Sequence, residues 1–378
     1  MTLTTTTVEP EVLAAAATIA VPRAAPADSF VLHAPLELLA RVGLLPLVDP
    51  AEHDRAVQGI TGLAVAFEAT GPGVAPPAEL HAGSLHDAAR MLDAALRKGD
   101  PNGADAALVW IAERADHATA RHLVAESIVD SLAAAGHAPI GLHLLPRVAG
   151  GELPASLLRG AVRTIAGQPS WRLDWFRNET AVAPGERVPM SAALAAVPWL
   201  GRPGSDFIYP LMSQVQDRGI AAQLLAPTLA DGFDLDAGSR ALMRAAAWSM
   251  LHDDPNQAPY GWSHCLTMPQ AVLSLAGDGV DPRTAMAVAA TYVVGFRAAH
   301  GMVELGSLAD ADGTPAGAAG TPDLTDLATF AALHHDAHLV KYTLACIHAA
   351  DADPAWAGTY LEAAAHLADW WWQHPDAA

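Results

Sequence analysis

The chain has 378 residues, 52% of them hydrophobic, which is enough to bury a large core. A formal charge of −20 with no basic stripe argues against nucleic acid and favours a small molecule or another protein as partner. The two cysteines, Cys265 and Cys346, are too few for a disulfide framework and predict small core residues in a reducing, cytoplasmic compartment.

Residues 1–28 are rich in Thr, Ala and Pro and lack a basic start. They read as a loose tail and not as a signal peptide. No apolar run looks both long enough and charge-free enough to span a membrane. From residue 29 the pattern is helical, with apolar residues at helical spacing in Leu36–Leu45, Leu85–Leu96, Ala106–Ala115, Ala118–Ala135 and Ser156–Ala166. It continues in Arg240–Leu251, Pro269–Leu275, Pro282–Ala299, Asp323–Ala350 and Ala355–Trp372. Glycine-rich breakers such as Gly71-Pro72-Gly73, Gly99–Gly103 and Gly201–Gly204 mark loops between them. Val182–Val188 is a candidate short strand, weakened by Pro184 and Gly185. Gly313–Thr321 lacks the lysine and preceding strand of a phosphate loop and reads as a connector. The expected architecture is all-α, a single large helical domain with short loops over residues 29–378.

The densest chemistry lies at Ala332–Thr343. At about 100° per residue, His334, His338, Lys341, Ala345 and His348 fall within an arc of roughly 80° on one helix. Neutral imidazoles stacked in this way suit a metal ion; iron, copper, nickel and zinc all accept them. Lys341 is the unusual member. The chain has 21 basic side chains, and only Lys98 and Lys341 are lysines. A buried lysine can lose its proton and add CO2, giving an anionic carbamate with oxygen ligands, whereas arginine does not deprotonate. A His-rich surface helix with Lys341 paired or reaching water is the plainer alternative.

Three further histidine segments stand apart along the chain. They are His33-Ala34-Pro35-Leu36 before an apolar helix, Gly136-His137-Ala138-Pro139-Ile140 and His264-Cys265-Leu266-Thr267. Together with Asp336-Ala337-His338-Leu339-Val340-Lys341, they resemble the questin oxidase family. The resemblance implies a helical oxidative enzyme acting on polycyclic aromatic polyketides. One type of site in that family has four histidines and a carboxylated lysine around non-haem iron. Carried over, the ligands are His33, His137, His264, His338 and Lys341, with His143 as the alternative to His137. His334 and Asp336 then become catalytic or supporting groups beside the ligands. Asn256, Gln257, Tyr260 and Trp262, in the polar loop before His264, and His300 are candidate substrate contacts.

Other pairs carry less. His122, Glu126 and Asp130 sit four apart, but no Glu-x-x-His accompanies them, so a solvated face is expected. His300 and Glu304 read as a surface pair. The expectation is a metal-dependent oxygenase, with O2 and an aromatic or polyketide-type molecule as substrates. Hydroxylation, ring cleavage or Baeyer–Villiger-like insertion is the outcome, and participation of NADPH is left open. The same ligands would also suit zinc-assisted hydrolysis, and a non-catalytic helical binding protein is the third reading.

Overall fold

Aspartate starts many of the helices in this chain. Asp28, Asp100, Asp116, Asp234, Asp281, Asp323 and Asp336 each accept a hydrogen bond from a backbone N–H in the first turn that follows. Such caps are worth ~0.5–2 kcal/mol each, so part of the acidic excess is structural. The computed structural model describes residues 8–24, 28–148, 153–177, 187–204, 208–305 and 322–375. Among them there are helices and two isolated bridges but no named strand. The all-α expectation is met. The Val182–Val188 and Gly313–Thr321 segments lie largely or wholly outside the described residues.

The chain divides into two compact units, one formed by residues up to Arg172 with Gly277–Val280, the other by the remainder. The first holds α1 (Pro10–Ile19), α2 (Ser29–Leu44), α3 (His53–Ala69), α4 (Leu85–Lys98), α5 (Pro101–Ala112), α6 (His117–Ile128), α7 (Ala138–Leu144) and α8 (Arg159–Gly167). Helix α1 corrects the loose-tail expectation. Val12, Ala15, Ala16 and Ile19 form an apolar face that it buries, and this burial orders a segment whose small residues look featureless in sequence. Between α4 and α5, Gly99 takes the left-handed conformation that stops one helix, while Asp100 caps the next and Pro101 opens it. Asp105 on α5 is completely buried and takes a two-pronged hydrogen bond from Arg159 on α8, at 2.6 and 2.8 Å. Removing one partner of such a pair costs about 3–5 kcal/mol.

Helix α6 stops at Ile128, short of the expected Ala135. His122 and Glu126 are exposed as a solvated face requires, but Asp130 is buried and paired with Arg172. The turn after the helix points Asp130 inward, away from the exposed stripe. Gly279 also belongs to this unit. Its φ is +92°, and a side chain there would run into the backbone of His122.

The second unit holds α9 (Met190–Ala195), α10 (Ile208–Asp217), α11 (Ile220–Leu225), α12 (Leu235–His252), α13 (Ser263–Leu273) and α14 (Pro282–His300), followed by α15 (Leu324–Leu333), α16 (Ala337–Ala352) and α17 (Ala357–Gln373). Helix α14 is buried at every position from Ala285 to His300 and packs against α10, α12 and α13. A helix apolar on all sides must sit inside. Its one cation there, Arg297, donates to Ser249 Oγ at 2.6 Å and to Asp253 at 3.1 Å. Trp371 on α17 is buried and Trp372 is 78% exposed, so the Trp370–Trp372 run packs on one side of its helix.

One stretch, Ser29–Leu47, has the length and mean hydropathy (1.5) of a membrane span, contrary to the sequence expectation. It is also 56% buried within the chain, and the Glu37–Arg41 ion pair (2.5 Å) lies inside it. A paired charge at mid-helix suits a protein core better than hydrocarbon.

Candidate metal centre

In the first unit, His33 comes one turn into α2. Its Nδ1 lies 2.5 Å from the carbonyl oxygen of Ser29 and 3.3 Å from that residue's hydroxyl. A neutral ring donating to a carbonyl carries its proton on Nδ1 and its lone pair on Nε2. His137 caps the start of α7 and is almost fully buried; its ring stands edge-on to that of His33, with centroids 4.5 Å apart. His143 is also buried, six residues further along the same segment. The backbone entering His137 is strained. Ala134 and Ala135 have φ of +52° and +51°, a left-handed pair without glycine. Such conformations concentrate at sites where geometry is imposed for function.

In the second unit, a π-helical turn, Ala258–Trp262, leads into α13. Single π-turns often mark functional positions. Tyr260, in that turn, presents its carbonyl oxygen 2.6 Å from His264 Nδ1. His264 is thus held as His33 is, by the carbonyl four residues earlier. His338 opens α16, with Nδ1 3.4 Å from Asp336 Oδ2. The rings of His264 and His338 are 4.9 Å apart, and Tyr260 stands edge-on to His338 at the same distance.

Lys341 follows His338 by three residues and is 4% exposed, so its ammonium group does not reach water. Burial lowers the pKa of His264 far below the ordinary imidazole value, helped by the charges of His338 and Lys341. Burial also lowers that of His338, followed by the charge of Lys341, against the pull of Asp336. Burial alone would raise the Asp336 carboxyl; its hydrogen bond with His338 and the amides of α16 outweigh this and hold it low. Both imidazoles are therefore neutral near pH 7, the state in which a ring can ligate a metal.

No protein-family model, curated protein or solved structure matches the chain. The geometry alone therefore bears on function.

Several expectations about individual residues change. The stretch Asp323–Ala350 is not one helix. His334 ends α15 in an extended conformation, and Asp336 caps a new helix by accepting from the amides of His338 and Leu339. His334 therefore does not share a helical stripe with His338 and Lys341. It lies against His335 and Trp371 instead. Asp336, expected as a catalytic or supporting group, lies against His338, accepting its backbone N–H and sitting 3.4 Å from its Nδ1. Trp262 is completely enclosed and donates its indole N–H to the Asp254 carbonyl at 3.2 Å, so it packs the loop instead of offering a substrate contact. Asn256 is exposed and bonded to Asp254, Gln257 is buried, and Tyr260 is 47% exposed. His300 is not at the surface: it is 5% exposed and edge-on to Trp262, while Glu304 is exposed. The left-handed Ala134-Ala135 pair gave no signal in sequence, since alanine ordinarily prefers a right-handed helix.

Proposed function

We propose that this protein is a metal-dependent, non-haem oxygenase that acts on an aromatic or polyketide-type small molecule. The ion, taken to be iron, is assigned to His264, His338 and Lys341 of the second unit, and the sequence resemblance adds His33 and His137 as further ligands. The observation that carries this reading is the shared anchoring of three imidazoles. His33, His264 and His338 each set Nδ1 against an oxygen, from Ser29, Tyr260 and Asp336 respectively. That arrangement fixes the ring, selects the tautomer with its lone pair on Nε2, and raises the basicity of that nitrogen, as is usual for metal-bound histidine. Exposed His374 makes the same Nδ1 contact, with the Trp370 carbonyl at 2.8 Å; what sets His33, His264 and His338 apart is that all three are buried.

The donor set fits the ion. Neutral imidazole suits iron, and an oxygen donor suits it equally. When bound, iron supplies the one-electron chemistry that lets O2 react with an organic molecule. The chain's own residues do the rest. Asp336 orients His338 and caps the helix that carries it. Lys341, buried beside two neutral imidazoles, would be better accommodated as a carbamate than as an ammonium. Its neutral amine forms an N–C bond with CO2, one proton leaves to solvent, and the resulting anion offsets the charge of the ion. Tyr260 covers one edge of His338 from water.

The test is metal analysis and oxygen uptake on the full chain reconstituted with ferrous iron under nitrogen. The expected result is stoichiometric iron, lost on His33→Ala, His137→Ala, His264→Ala, His338→Ala and Lys341→Ala alike. Stoichiometric zinc without oxygen uptake would replace this reading with metal-assisted hydrolysis, and a chain that binds no metal would end it.

A further inference from the structure

In the first unit a cavity of about 490 Å³ is lined by residues of α1, α2, α3 and α8 and by the segment around Val74. Its walls are largely apolar, with Val31, Leu36, Phe67 and Leu158 among them, and its volume lies in the range of small-molecule sites. Arg23, Arg163 and His137 are the ionisable groups in the lining.

The two arginines are not neutralised in the usual way. Arg23 donates to the backbone carbonyls of Gly71 and Thr18, at 3.1 and 3.2 Å, and lies over the Phe67 ring at 4.4 Å. All three partners are uncharged. Its Nε–H is buried and meets no acceptor among the described residues. Arg163 donates to Asp105 at 3.1 Å, but that carboxylate is already held at two points by Arg159. Two guanidinium groups therefore share one acid. In a chain of net charge −20, an apolar cavity bordered by surplus positive charge is an exception. A charge beside an apolar space is costly unless a counter-charge arrives. A planar guanidinium matches a carboxylate better than any other common anion of one charge.

We infer that this cavity binds an amphipathic carboxylate, its apolar body against Leu36, Phe67 and Leu158 and its anionic end between Arg23 and Arg163. His137 lines the same cavity. That the bound molecule is also the substrate rests on the function proposed above; the binding itself does not, since neither arginine is among the proposed metal ligands.

The probes are 1-pyrenebutyrate and its uncharged analogue 1-pyrenebutanol, titrated by fluorescence into the full chain, both metal-free and iron-loaded. The carboxylate should bind about tenfold more tightly than the alcohol, as expected for a charge-assisted pair. The preference should fall to near unity in Arg23→Met and in Arg163→Met and persist in the surface control Arg90→Gln. Ala161→Phe, at a half-buried position in the lining, should block both probes; it carries the test if either arginine variant fails to fold by circular dichroism. Equal binding of the two probes, no binding of either, or an unchanged preference in both arginine variants would overturn the inference. A failure of iron loading leaves the metal-free titration interpretable, so the two proposals fail separately.

Discussion

Asp336 holds His338 at two points. One carboxylate oxygen accepts the backbone N–H of His338 at 2.8 Å, while the other lies 3.4 Å from its Nδ1. The same side chain therefore starts a helix and orients a candidate ligand. The two roles can be separated by mutation.

Asp336→Ala should lose the cap and destabilise the protein by ~0.5–2 kcal/mol. Asp336→Asn keeps a capping oxygen and should recover most of that stability. If His338 ligates a metal, both variants should bind the ion about 10–100-fold more weakly, because an uncharged group no longer polarises the ring. Urea denaturation reads the first effect and metal titration the second. Full metal affinity in the asparagine variant would assign Asp336 a structural role alone.

The buried imidazoles predict acid sensitivity. The pKa values of His264 and His338 are lowered on folding, chiefly by burial. In the unfolded chain they take up protons near the ordinary value of ~6.5. The unfolded state thus binds more protons below that pH, so stability is complete above it and falls as pH drops through it. The metal-free protein should show a lower urea midpoint at about pH 5.5 than at about pH 7.5. His264→Gln should lose less over the same interval. An equal loss in the variant would place the acid sensitivity elsewhere.

The left-handed pair before His137 stores strain. An alanine at φ near +50° costs roughly 1–2 kcal/mol, of which glycine would return about 0.5–1 to chain entropy. Ala135→Gly, at φ +51°, should therefore raise stability by up to about 1 kcal/mol. Denaturant midpoints check this directly. A marked loss of stability would mean the methyl group contributes packing that outweighs the strain.

Cys265 and Cys346 are fully buried, and burial pushes both thiols well above their usual range. Neither should react with an aromatic disulfide reagent in the native protein at neutral pH. Both should react in denaturant. Fast labelling of either one before unfolding would contradict the buried placement.

Composition and periodicity were enough to read an all-helical chain, because apolar stripes at helical spacing and the glycine breakers between them are local signals carried by neighbouring residues. They also singled out His338 and Lys341, since a lysine in an arginine-using chain is visible without any structure. What they could not supply was the break at His334–Asp336. The apolar pattern runs through it, and only the aspartate's capture of two amides ends one helix and starts another. Nor could they show that Ser29 and Tyr260 carbonyls fix the rings of His33 and His264, or that the partners of Arg23 among the described residues are uncharged. Those facts depend on where backbone and side chains meet in space, and the helical period of one segment carries no information about the groups packed against it.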